Sequence, residues 1–268
     1  MALRIVIAGA TGWVGKALVQ AVGAAADLTL VAAISRTHAG KDSGEASGAS
    51  ANGLMLVATL AEALLVPSDV VIDYTKPHVV KGHALEAVAA GRHVVIGTSG
   101  LTAADYAEID AAAKTAQRGV LAAGNFSITA TLLRRFALEA AKYVADVEVI
   151  DYASAKKPDT PSGTGRELAE LLGQVRQAAT SQPVETLGGA RETRGAAIGA
   201  PVPVQVHSVR MPSFVLSCEV IFGAPDERLV IRHDAGSSAA PYVAGTLLAA
   251  RKVSSFTGLK RGLDHVME

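Results

Sequence analysis

Leu3–Ala8 is an almost continuous apolar run, and it passes without interruption into Gly9-Ala10-Thr11-Gly12-Trp13-Val14-Gly15. The pattern Lys16-Ala17-Leu18-Val19-Gln20-Ala21-Val22 that follows has helical spacing. A short strand apolar at successive positions has to be buried on both faces, the environment of a parallel sheet covered by helices. Glycine at every third position permits a tight turn and lets backbone amides approach a pyrophosphate at the helix start. A second strand-like run, 29–34, lies where such a βαβ unit needs it. Strand, glycine turn, helix and strand together predict a dinucleotide-binding unit, with Gly9, Ala10, Thr11, Gly12, Trp13 and Val14 as cofactor contacts. The second strand ends in Ser35-Arg36, with no acidic residue for the ribose hydroxyls of NAD. An arginine at that place accommodates a 2′-phosphate, so Ser35 and Arg36 join the cofactor set and NADPH is expected in preference to NADH.

The same grammar continues to residue 126. Residues 40–53, rich in Gly, Ser and Ala, are predicted to be a flexible loop that can include a short helical turn. A helix over 60–65 precedes a strand over 69–74, and a helix over 78–90 precedes a strand over 93–96. Thr102 with Asp105 forms a capping-box start for a helix to about 116, and a strand over 119–123 follows. Ligands of doubly wound sheets sit beyond the carboxyl ends of the strands. Tyr74, Thr75, Gly97, Thr98, Ser99, Asn125 and Phe126 are therefore further cofactor candidates.

Beyond residue 127 the pattern changes. A long helix is expected over 128–143, a strand over 147–152, and then the turn Lys156-Lys157-Pro158-Asp159-Thr160-Pro161-Ser162-Gly163-Thr164-Gly165. Its two prolines fix φ and bias the residues before them away from helix. Ser162 is placed to cap the amphipathic run that follows. The amides of Gly163, Thr164 and Gly165 at that helix start, together with the helix dipole, favour a carboxylate or phosphate. Residues 178–201, with Arg191 and Arg194, form a polar, glycine-rich stretch. Strands are expected over 202–209, 214–222 and 228–233, and a helix over 242–251 that returns to the first domain. The fold class is α/β, a doubly wound Rossmann parallel-sheet domain (1–126 plus 240–268), with a second, smaller α+β domain (127–239) for substrate binding and oligomerisation.

Composition narrows the partners. The chain carries 25 basic and 25 acidic residues, a balance that argues for a small-molecule partner and against a nucleic-acid footprint. The first strand begins at residue 3, which leaves no room for a signal peptide, and no apolar run reaches the roughly 20 residues that span a bilayer. One cysteine, Cys218, excludes an internal disulfide and a cysteine-built zinc site and suits a reducing cytoplasm. No metal site is expected. His207 and His233 are read as structural.

The ordered set Gly9 to Gly15, Ile96-Gly97-Thr98-Ser99-Gly100, Asn125-Phe126-Ser127, Lys157 to Thr164 and His207-Ser208-Val209-Arg210 resembles the 4-hydroxy-tetrahydrodipicolinate (dihydrodipicolinate) reductase family of lysine and diaminopimelate biosynthesis. The most specific element is Lys157 to Thr164, where the family reads K-x-D-x-P-S-G-T. The resemblance implies hydride transfer from NAD(P)H to the unsaturated ring of a cyclic imine/enamine dicarboxylate, and a homotetramer built through the second domain. It also implies that Lys157 is the general acid or the positive group on the substrate, with Ser162, Gly163 and Thr164 holding a carboxylate. Two adjacent family histidines correspond here to Ala153 and Ser154, neither of which titrates near neutrality. Ser154 is kept as a substrate-binding candidate. The family's substrate arginine after the last strand is replaced by Gly236-Ser237-Ser238-Ala239. These departures keep two alternatives open: a reductase of the same fold acting on another imine or carbonyl compound, or a catalytically inactive NADP-binding regulatory protein.

Overall fold

A computed structural model describes residues 2–182, 186–189 and 194–267. The chain divides into two compact units, Met1–Ile128 with Ala239–Glu268, and Thr129–Ser238.

The first unit contains β1 (Leu3–Ala8), α1 (Trp13–Ala24), β2 (Leu28–Ile34), α2 (Ser43–Ser47), α3 (Leu60–Leu64), β3 (Val70–Asp73), α4 (Pro77–Ala89), β4 (His93–Ile96), α5 (Ala103–Thr115) and β5 (Gly119–Ala122). The late segments α8 (Ala240–Lys252) and β11 (Gly258–Arg261) also belong to it. Among the described residues its strands form one sheet in the order β11-β5-β4-β3-β1-β2, parallel at every pairing. Side chains alternate between faces along a strand. Ile5 and Ile7 accordingly enter one core with Leu18, Val22, Ala249 and Val253, while Val6 and Ala8 enter another with Leu60, Val80, Val88 and Ile109. Both sheet faces are thus covered by helices, as the apolar runs require.

Residues 40–53 differ from the expected flexible loop. Asp42 caps α2 and accepts from the amides of Gly44, Glu45, Asn52 and Gly53, which closes the segment into a compact turn. The returning helix is present as α8. β11, which sequence patterning did not foresee, adds to the sheet edge beside β5.

The second unit holds α6 (Ile128–Ala140), which starts at its boundary, β6 (Asp146–Ala153), α7 (Gly163–Val175), β7 (Ala196–Ile198), β8 (Val204–Arg210), β9 (Leu216–Ala224) and β10 (Glu227–Ala235). The described strands make a mixed sheet in the order β10-β9-β6-β8-β7, with β6 and β8 parallel and the other pairings antiparallel. One sheet face packs Val147, Val149, Val206, Val220 and Phe222 against Leu168 and Leu172 of α7 and Leu133 and Ala137 of α6. The stretch 178–201 is not all loop, since β7 lies within it. Arg191 falls outside the described residues, and Arg194 pairs with Glu148 at 2.5 Å.

Candidate functional site

In the first unit the candidate residues gather beyond the carboxyl ends of β1 to β5. Gly9 has φ +85°, and a Cβ there would lie 2.4 Å from the carbonyl oxygen of Tyr74. A Cβ on Gly15 would lie 2.0 Å from the carbonyl oxygen of Gly9, so the turn can press on the helix only because both positions lack a side chain. Gly12 occupies the N-cap of α1 and offers no side-chain cap. Among the described residues the amides of Trp13 and Val14, the first two of the helix, have no acceptor, and such donors with the helix dipole form an anion cradle. The glycine turn therefore fits a dinucleotide pyrophosphate.

Thr11 Oγ1 meets Ser35 Oγ at 2.7 Å and ties the cradle to the end of β2. His38 Nδ1 lies 3.4 Å from Ser35 Oγ and 2.9 Å from Thr37 Oγ1, and Arg36 is exposed beside them. Tyr74 and Phe126 turn their rings into the core. Phe126 is 1% exposed in the core and packs 6.0 Å from the Tyr74 ring. The Tyr74 hydroxyl bonds Thr246 Oγ1 at 2.7 Å, and burial pushes its pKa upward. Only the backbone of these two residues is left for a cofactor.

Thr75 and Thr98 also turn inward. Both hydroxyls donate to Asp73 Oδ1, at 2.7 and 2.9 Å. Ser99 is exposed and Gly97 is partly exposed. Asn125 Oδ1 accepts from the Ser127 amide at 2.8 Å.

In the second unit the turn after β6 is held from beneath by Asp151. This carboxylate is 1% exposed and accepts from the Ser162 amide (2.8 Å), the Ser162 hydroxyl (2.5 Å) and Arg210 Nη2 (2.7 Å). Arg210 also reaches the Asp159 carbonyl at 2.7 Å, so one guanidinium braces both the strand and the turn. Ser162 is the N-cap of α7 as predicted, accepting from the Gly165 amide at 3.2 Å. Its predicted contact with a substrate carboxylate is corrected: its amide and hydroxyl proton are both committed to Asp151. Gly163 is exposed and Thr164 half-buried, and among the described residues their amides have no acceptor.

Lys157 Nζ pairs with Asp159 Oδ2 at 3.0 Å, both side chains being partly exposed. The ammonium holds the Asp159 carboxyl below its ordinary range. Ser154 closes the turn, its carbonyl accepting from the Lys157 amide (2.9 Å) and its Oγ from the Lys156 amide (3.3 Å). Ala153 is fully buried. His207 bonds Glu148 at 2.8 Å, and burial lowers the pKa of His233.

Sequence reasoning missed Asp73 and Asp151. Asp151 shares the parity of Val147 and Val149, and an acid on the buried face of a strand needs partners, which is the signal that could have found it.

Two family models cover nearly the whole chain: dihydrodipicolinate reductase, N-terminus, over residues 3–126, and its C-terminus over 129–267. The chain belongs to the dihydrodipicolinate reductase family. The 4-hydroxy-tetrahydrodipicolinate reductase of Synechococcus elongatus is 37% identical over 99% of this chain and 98% of its own. That of Desulfitobacterium hafniense is 35% identical over 99% of each. The dipicolinate-bound dihydrodipicolinate reductase of a Paenisporosarcina species superposes with a TM-score of 0.86, at 28% identity over the full length of both chains. An amine dehydrogenase from Mycobacterium smegmatis, 15% identical with a TM-score of 0.69 over 99% and 96% of the two chains, shares the fold alone. Membership in this family makes the chain a nicotinamide-dependent oxidoreductase acting on a small molecule. Among the described residues no helix is long and apolar enough to cross a membrane.

Proposed function

We propose that this member of the family is an NADPH-dependent 4-hydroxy-tetrahydrodipicolinate reductase, delivering a hydride to the unsaturated ring of a cyclic imine/enamine dicarboxylate. The observation that supports the reading is the Asp151-braced turn: among the described residues the amides of Gly163 and Thr164 at the start of α7 have no acceptor, and Lys157 belongs to the turn that leads into it. Two positive elements at one turn suit an anionic substrate. When bound, the reduced dinucleotide supplies a hydride. The chain supplies the rest. Trp13 and Val14 amides hold the pyrophosphate in the cradle of Gly9, Ala10, Thr11 and Gly12, and Arg36 with Ser35 takes the 2′-phosphate. The backbone of Thr75, Gly97, Thr98, Ser99 and Asn125 lines the nicotinamide end. Gly163, Thr164 and Ser154 bind substrate, and Lys157 Nζ carries the positive charge and the proton that completes the reduction.

Residues 127–239 are proposed as the substrate and oligomerisation domain of a cytoplasmic homotetramer. Opposed residues of paired strands share a face, and the sheet face opposite α6 and α7 presents Ile150, Tyr152 and Ile221 half-buried with Val230 exposed.

A second reading rests on Ala153. With Ser154 beside it, it leaves no imidazole at the end of β6, which favours a different imine or carbonyl substrate. The deciding experiment is steady-state NADPH oxidation with the substrate generated in place from aspartate semialdehyde and pyruvate, run beside other imines and ketones. Turnover of roughly 1 s⁻¹ or more on the family substrate supports the first reading. Turnover only on another compound supports the second, and cofactor binding with no turnover on the panel points to a regulatory protein.

A further inference from the structure

We propose that Asp73 and His83 form a positioning pair that fixes the nicotinamide end of the dinucleotide site. The proposal rests on the reading that the first unit takes its cofactor beyond the carboxyl ends of β3 and β4. Asp73 ends β3 and is 1% exposed. The two neighbouring strands end in Ala8 and Ile96, both buried and apolar, so the sheet itself does not require a carboxylate at this place.

A buried carboxylate is retained against its desolvation cost only with partners for its oxygens. Asp73 has four. Its Oδ1 accepts from the Thr75 amide (2.9 Å), the Thr75 hydroxyl (2.7 Å) and the Thr98 hydroxyl (2.9 Å). Its Oδ2 faces His83 Nδ1 of α4 at 2.8 Å. The donors to Oδ1 come from two loops, one after β3 and one after β4. One carboxylate therefore sets both hydroxyls and the backbone between them in a single arrangement. His83, 18% exposed, holds the remaining oxygen and so fixes the carboxylate plane. Neither group reaches solvent enough to meet a ligand directly, so both act through the loops they hold.

The test is binding to the full-length chain. NADPH is titrated by the fluorescence of its reduced nicotinamide. In parallel, 2′-phosphoadenosine diphosphoribose is titrated; it keeps the phosphates and lacks the ring. His83→Leu removes the donor, and His83→Asn restores an N–H near the position of Nδ1. Loss of a hydrogen bond to a charged group is worth about tenfold or more. Thus His83→Leu and Asp73→Asn are expected to weaken NADPH by about tenfold or more while the ringless ligand keeps its affinity, and His83→Asn is expected to recover most of the loss. Equal weakening of both ligands in His83→Leu, or no change in either, overturns the proposal. If Asp73→Asn does not fold, the two His83 variants decide alone. A wild type that binds neither ligand overturns the dinucleotide reading itself, and the positioning role with it.

Discussion

The carboxylate of Asp151 accepts both hydrogens that Ser162 can donate, the amide at 2.8 Å and the hydroxyl at 2.5 Å, on the buried face of β6. It couples a strand to the first turn of α7, and Arg210 closes the same knot from β8. Gly165 makes the approach possible, since a Cβ there would sit 3.1 Å from the Asp151 side chain. The expected anion site at the helix start is thus narrowed to Gly163 and Thr164, and its floor is Asp151.

Asp151→Ala leaves a guanidinium that is 14% exposed without its carboxylate and strands two donors of Ser162. Breaking a buried pair from one side costs about 3 kcal/mol or more. The urea midpoint should fall accordingly, and an unchanged midpoint would show that Arg210 finds a substitute partner.

Lys157→Ala should behave in the opposite way. Its pair with Asp159 is partly exposed, and such pairs contribute about 0 to 1 kcal/mol, so melting should stay near wild type. Proton donation from a positioned group is worth about 10² to 10⁴, and kcat/KM should fall by that order. Activity equal to wild type would remove Lys157 from the mechanism.

Much of this was legible in advance, for a physical reason. Residues buried on both sheet faces are apolar in succession, so residues 5–8 and 70–72 declare themselves in composition. β7 and β11 do not, because they are short edge strands, and Lys260 and Arg261 interrupt the apolar pattern of β11. The order of residues 40–53 comes from one carboxylate, Asp42, gathering amides up to eleven positions away. Periodicity places Tyr74, Thr75, Thr98 and Phe126 at strand ends and says nothing about which way their side chains turn. That direction is set by Asp73, Thr246 and the core, and for Tyr74, Thr98 and Phe126 the contacts join residues far apart in the chain.

Arg36→Ala separates the two dinucleotides. Arg36 is exposed at the end of β2, where no carboxylate competes for it in the local sequence. A charge-assisted contact with a 2′-phosphate is worth about 1.5 to 3 kcal/mol, so NADPH affinity should fall by about ten- to a hundredfold with NADH little changed. Isothermal titration with both cofactors measures it, and an unchanged ratio would make Arg36 a surface residue only.

Acid should expose the capping box of α5. Hydrogen bonding from Lys81 and then from the Thr102 amide and hydroxyl pulls Asp105 down to about 2 from 3.8. A carboxyl whose folded pKa is depressed contributes stability above its unfolded value, and that contribution disappears as pH falls through the folded one. Asp105→Asn should therefore be less stable than wild type at pH 5 and above, with the gap closing between 3.8 and about 2. Paired urea titrations across that window check the sign, and a gap that persists at pH 2 would assign the effect to shape instead of charge.

Gly97 and Tyr74 should be energetically coupled. A Cβ on Gly97 would lie 2.2 Å from the Tyr74 ring, and the ring cannot swing away while its hydroxyl holds Thr246 and its face meets Phe126. Gly97→Ala alone is an overpacking change, costing about 1 to 3 kcal/mol. Tyr74→Ala alone opens a cavity and costs about 3 to 5 kcal/mol by analogy with other large aromatic truncations. In the double variant the new methyl enters the space the ring has left, so the losses should fall short of their sum by about 1 kcal/mol or more. A double-mutant cycle in urea measures that term. Strict additivity would mean that the strand end relaxes away from the ring, and that Gly97 is needed for approach of the cofactor backbone instead of for packing.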